Sequence, residues 1–120
     1  MQYMLIFKDP LSEFAKAANP ATAPAYFGAW GAYVTAIKAS GVVVNGDGLL
    51  PPQMGTTISM RNGKRVVQDG PFADAKEHLG GYYVIEVPSL DVALDWAVKS
   101  PSAEFGSVEI RPVMPPMPGM

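Results

Sequence analysis

A chain of 120 residues and 12.8 kDa is one domain by size, and its hydrophobic fraction of 48% suits a globular core. Cysteine is absent, which excludes disulfides, thiolate nucleophiles and Cys-based metal sites, and a net charge of −2 from 9 basic and 11 acidic residues gives no basic footprint for nucleic acid. No apolar run approaches the roughly 20 residues of a membrane span, and Tyr3 to Phe7 is too short for a targeting segment, so we expect a cytoplasmic protein with no membrane contact.

Tyr3-Met4-Leu5-Ile6-Phe7 is apolar throughout, the pattern of a central strand covered on both faces. Residues 9–24 are broken by Pro10, Pro20 and Pro24, with room for a short alanine-rich helical turn. Pro24 opens a helix to about Ser40, with Tyr26, Phe27, Trp30, Tyr33, Val34 and Ile37 as its apolar stripe and Gly41 as its stop. Gly28 and Gly31 within it suggest a close backbone approach. Val42-Val43-Val44 is a strand, followed by the turn-like Asn45-Gly46-Asp47-Gly48 and the stop Pro51-Pro52. Thr56 to Met60 and Arg65 to Gln68 flank Asn62-Gly63, a hairpin signature.

The stretch from Asp69 to Tyr83 holds the densest set of special residues, including the chain's one histidine, His78. Gly70-Pro71 marks a turn that the Asp69 carboxylate can close, leaving Phe72 as an apolar plug. Asp74 and Glu77 have capping-box spacing, which predicts a helical turn ended by Gly80 in a left-handed cap. A strand from Tyr82 to Val87 follows. Ser89 then caps a helix from Leu90 to Lys99, with Leu90, Ala93, Leu94, Ala97 and Val98 as its buried face and Pro101 as its stop. Ser107 to Val113 alternates as a half-buried strand with Val108 and Ile110 inward. We therefore expect a domain over residues 1–113 and a Pro/Met-rich tail over 114–120.

Strand, helix, strand, inserted hairpin, strand, helix, strand is the ferredoxin-like order βαββαβ, an α+β class with the first and third strands central. Its two helices cover one face of the sheet. The other face then carries Tyr82, Glu86, Glu109 and Arg111 among apolar residues, a mixed surface suited to a homodimer packed through the sheets.

These residues together resemble the YCII-related family, in the branch named for its Asp-Gly-Pro-Phe (DGPF) signature. The resemblance rests on Tyr3 to Ile6, Gly41 with its valines, Gly48-Leu49, Asp69 to Ala73, Lys76-Glu77, Leu79 to Tyr83, Ala93 to Ala97 and Val108 to Val113. It implies a dimeric α/β-barrel of two ferredoxin-like protomers. It also implies a link to alternative sigma factors, and relatives that act on small, often chlorinated aromatics through a His-Asp pair. No histidine lies in the first helix or the strand after it here, so that pair does not carry over.

Asp69 is the candidate general base, because a carboxylate beside Phe72 and tyrosines can hold its proton more tightly than in water; its alternative role is closing the turn. His78 is a weaker acid–base candidate, and Glu77 reads as a cap. Arg111 is able to clamp a ligand carboxylate or to pair with Glu109 or Glu86, while Phe72, Tyr82 and Tyr83 are candidate ligand contacts. Trp30 and Trp96 read as core or interface, and no serine has a histidine partner for a triad. Neither a metal site nor a cofactor motif is present. Two functions fit: a dimer that binds an unknown small molecule in a non-catalytic or regulatory role, and an isomerase, lyase or dehydrochlorinase-like enzyme using Asp69.

Overall fold

The computed structural model describes residues 1–71 and 75–119. Strand β1 (Gln2–Asp9) runs through the middle of a four-stranded antiparallel sheet of order β2-β5-β1-β6, with β2 at Val43–Gly48, β5 at His78–Glu86 and β6 at Ser107–Pro112. This is the ferredoxin-like α+β arrangement that the order of elements predicts, with the first and third strands of the motif central. Helices α1 (Leu11–Ala15), α2 (Ala23–Ala39), α3 (Leu90–Val98) and α4 (Pro101–Phe105) complete the domain, with a 3-10 turn at Lys16–Ala18 between the first two. The molecule measures 51 × 46 × 19 Å, and its shortest dimension is that of one sheet and one helical layer.

Alternation along β1 divides its side chains. Tyr3, Leu5 and Phe7 enter a core with Tyr33, Ile37, Tyr83, Ile85, Val87, Ala93 and Ala97, and Val108 and Ile110 pack against its edge. On the opposite face Met4 registers with Val84 and Arg111, and Ile6 with Tyr82 and Glu109. Ile6 and Val84 are buried at its centre, and Lys8 pairs with Glu109 while the N-terminal ammonium pairs with Glu86.

The hairpin pairs Ile58 with Val67 and Met60 with Arg65 in a sheet of its own, β3 (Thr56–Arg61) with β4 (Lys64–Asp69). Its turn has positive φ at both Asn62 (52°) and Gly63 (75°), as an Asn-Gly hairpin requires. The hairpin stands away from the core: Ile58, Met60 and Val67 are all more than half exposed.

The segment after the hairpin differs from its sequence reading. Residues 78–81 are not a helical turn; they extend β5, with His78 opposite Asp9 and Leu79 opposite Lys8. Gly80 does not adopt a left-handed cap. It is the extra residue where the register shifts between the Lys8–Leu79 and Phe7–Gly81 pairs, and a Cβ there would stand 2.9 Å from the Phe14 ring, so glycine serves close packing. Asp74 and Phe72 lie outside the described residues; Glu77 accepts a hydrogen bond from the Ser107 hydroxyl.

Other differences have equally local causes. Asn45 to Gly48 continues β2 because Gly46 lets the strand approach β5 closely, packed against the Tyr83 ring. Pro101 begins α4 instead of merely ending α3, consistent with proline at a first helical position. Ser89 does cap α3, accepting from the Val92 amide, but only Ala93 and Ala97 of its expected face are buried; Leu90, Leu94 and Val98 are exposed. Nothing approaches Gly28 or Gly31 within 4 Å. Residues 113–119 carry no helix or strand, although Val113 still donates to Gln2.

Candidate functional site

Phe7 and Asp9 occupy alternate positions of β1 and so share its helix-facing side. Phe7 is met edge-on by Trp30 at 5.4 Å, Tyr33 at 5.9 Å and Tyr83 at 6.1 Å between ring centroids. Tyr33 is locked by donating its hydroxyl to the Trp96 carbonyl at 2.9 Å, and burial pushes its phenol well above the ordinary range. Phe7, Trp30 and Tyr83, with Phe14 from α1 and Tyr26 and Phe27 from α2, wall a cavity of about 230 Å³ between the helices and the ends of β1, β2 and β5.

Asp9 lines this cavity, and only 7% of its surface is exposed. The Ser102 hydroxyl of α4, itself fully buried, donates to Asp9 Oδ2 at 2.7 Å. Burial raises the Asp9 pKa above the usual 3.8; the Ser102 hydrogen bond opposes this, the Glu13 and Glu77 charges add to it, and Lys16 lowers it. Lys16 is engaged with Glu13 and lies 4.1 Å over the Phe105 ring. A carboxyl group desolvated among aromatic rings and steadied by one hydroxyl is suited to accept and return a proton.

The far wall is also acidic. Asp47 of β2 accepts from the Tyr82 hydroxyl at 3.4 Å and, after burial, raises the Tyr83 pKa; Tyr26 is raised by burial, Asp9 and Glu13. Among the described residues that line the cavity none is basic. The donors present, carboxylates and phenols, form no metal cluster among the described residues.

The candidates named from the sequence are dispersed. Tyr82 and Tyr83 line the aromatic cavity, whereas Asp69 and His78 line a second, more open one beside Leu11, Pro52 and Gln53. Asp69 ends β4 in an exposed position; the bend after it is held by Gly70, whose φ is +77°, donating to Gly55, by Thr57 donating to Gly70 and by Gln68 donating to Pro71. Arg111 lies on the open sheet face, 3.8 Å from Glu109 and largely exposed, so it shares no cavity with the tyrosines. Phe72 is outside the described residues. The sequence reading missed Asp9 because it ended the first strand at Phe7; continuing the alternation by two residues puts this carboxylate on the core side.

The model of the YCII-related domain matches residues 1–116. An uncharacterised protein of Rhizobium meliloti (strain 1021) is 41% identical over 73 residues, 59% of each chain, so the match spans less than two thirds of that curated relative. Among solved structures, the fold is similar to 5-chloro-2-hydroxyhydroquinone dehydrochlorinase (TftG) from Burkholderia phenoliruptrix AC1100 in complex with 2,5-dihydroxybenzoquinone. That likeness has a TM-score of 0.54 and 16% identity, covering 95% of this chain and 94% of the other. No helix among the described residues is long and apolar enough to cross a membrane. With the family model spanning nearly its whole length, the chain belongs to the YCII-related domain family.

Proposed function

We propose that this protein binds a small, mainly apolar molecule in the aromatic cavity beneath α2, with Asp9 as the group that exchanges a proton with it. The observation that carries this reading is a buried carboxyl group of raised pKa on the wall of an aromatic cavity. At about 230 Å³ the space is below the roughly 300–1,000 Å³ of drug-sized sites, which favours a single-ring ligand. Asp69, the base candidate of the sequence, is exposed on a different cavity. Trp30 offers the test. In a Trp96→Phe background, hydroquinone should change Trp30 fluorescence saturably, and Asp9→Asn should remove the pH dependence of that binding. Fluorescence unaffected by hydroquinone and other single-ring compounds would overturn the reading.

A catalytic role is the second reading, favoured by the same carboxylate. A dehydrochlorination requires a base that takes a proton from the substrate as chloride departs, and the TftG name shows that a related fold hosts such chemistry. Asp9 would supply that base. Chloride release from a chlorinated hydroquinone, lost in Asp9→Asn while the compound still binds, is the outcome that distinguishes an enzyme from a binding protein.

The protein is further proposed to act as a homodimer through the open sheet face. That face sets Ile6 and Val84 at an apolar centre beside the charged Lys8, Glu109 and Arg111, the core-and-rim composition of an interface. Sedimentation at twice 12.8 kDa, shifted toward the single chain by Arg111→Glu, is the expected result; a monomer at micromolar concentration overturns it.

A further inference from the structure

We propose that the aromatic cavity selects a small organic cation, a protonated amine or quaternary ammonium on a single-ring body, with its charge directed toward Asp9. This rests on the reading of the cavity as a binding site and names the chemistry of its ligand.

Three observations carry the inference. First, the carboxyl residues that line the cavity, Asp9 on β1 and Asp47 on β2, have no basic residue on the same wall. The groups felt from neighbouring elements are Glu13 of α1, Glu77 before β5 and Lys16 of the 3-10 turn, and Lys16 is bound to Glu13. An entering carboxylate or phosphate would therefore meet like charge without a compensating base, a penalty that grows as water is excluded. A cation would meet the opposite condition.

Second, the remaining wall is built of ring faces and edges. Trp30 and Tyr83 are each set nearly perpendicular to Phe7, so a guest meets more than one orientation of ring. Aromatic faces attract ammonium groups through their quadrupole, most strongly where water is displaced, and enclosures of this composition suit alkylated amines.

Third, the arginine that the sequence offers for holding a ligand carboxylate is elsewhere. Arg111 belongs to the edge strand β6, on the sheet face opposite Phe7 and Asp9, and is 71% exposed beside Glu109. The ligand that such a clamp would hold is thus not the one this cavity is built to receive.

The test is a matched series of one shape and three charges: benzylamine, benzyl alcohol and benzoate, titrated into the full chain by calorimetry at neutral pH. Benzylamine should bind about ten-fold or more tightly than benzyl alcohol, with benzoate weakest. Asp9→Asn should reduce the amine to the affinity of the alcohol and leave the alcohol unchanged, while Asp91→Asn on the exposed side of α3 should alter neither. If the alcohol binds as well as the amine, or benzoate binds best, the cation assignment falls and the binding site stands. If none of the three binds, both fall.

Discussion

Asp9 and Ser102 stand 93 positions apart in the chain, yet the hydroxyl of one donates to the carboxylate of the other at 2.7 Å in a buried setting. The bond ties the end of a central strand to a one-turn helix. Ser102→Ala should therefore leave Asp9 desolvated with the Ser102 donor removed. At neutral pH a loss of about 1–3 kcal/mol in denaturant unfolding is expected, shrinking in acid as Asp9 takes up a proton. Equal losses at both pH values would deny the Asp9 charge a part in it.

The sign of the pH dependence follows from the raised Asp9 pKa. An unfolded chain gives up this proton near the usual 3.8, whereas the folded chain retains it to higher pH. Between the two values the folded state holds more protons, so Asp9's contribution to stability is full below 3.8 and is lost as pH rises through its folded pKa. Asp9→Asn, which keeps an acceptor for Ser102, should thus gain in melting temperature relative to the natural chain as pH rises through this window, then hold a constant difference. A difference independent of pH would contradict the burial argument.

Gly106 links α4 to β6 where no side chain fits. A Cβ there would stand 2.1 Å from the Lys8 carbonyl oxygen and 2.8 Å from Asp9 Oδ1, so backbone must move. Gly106→Ala should lower stability by about 1–3 kcal/mol or more and disturb the Asp9 titration together with it. Gly28→Ala is the counterpart: it lies within α2 in open space, and alanine should raise stability by roughly 0.5–1 kcal/mol. Thermal melts of the two variants should move in opposite directions.

Tyr33 combines a core ring with the hydroxyl that reaches the Trp96 carbonyl. Tyr33→Phe keeps the ring contacts with Phe7 and Trp30 but removes the hydrogen bond, for an expected loss of about 0.5–1.5 kcal/mol. The Trp96 environment should change in near-ultraviolet circular dichroism, while Trp30 stays as it is. An unchanged melting temperature would mean that water replaces the phenol at that carbonyl.

Much of the fold was legible because it depends on period and punctuation. The apolar run at Tyr3 to Phe7, the proline at position 24, Asn62-Gly63 and the Ser89 cap each act locally, and each produces the expected element. What escaped depends on contacts between distant segments. Gly80 looks like a helix cap until Phe14 is seen against it, and Asn45 to Gly48 looks like a loop until Tyr83 occupies the space Gly46 leaves. The cavity was half legible. Tyr82 and Tyr83 reach it, but Asp9 was hidden by a change of residue type at the end of a strand, and its partner Ser102 sits on a helix whose proline read only as a stop. The charged signature around Asp69 drew the eye to a bend whose described hydrogen bonds serve to shape the backbone.

Strand β1 hydrogen-bonds to β5 on one side and β6 on the other. During synthesis β1 must therefore wait for β2, β5 and the helices between to be made before β6 can fill its second edge. Until β6 emerges, an apolar strand retains a free edge of the kind that recruits foreign strands. Assembly is accordingly governed by long-range pairing and should proceed in the slower regime of such topologies. Truncation before Ser107 would leave that edge open, turning a loss of six residues of sheet into a hazard for every neighbouring nascent chain.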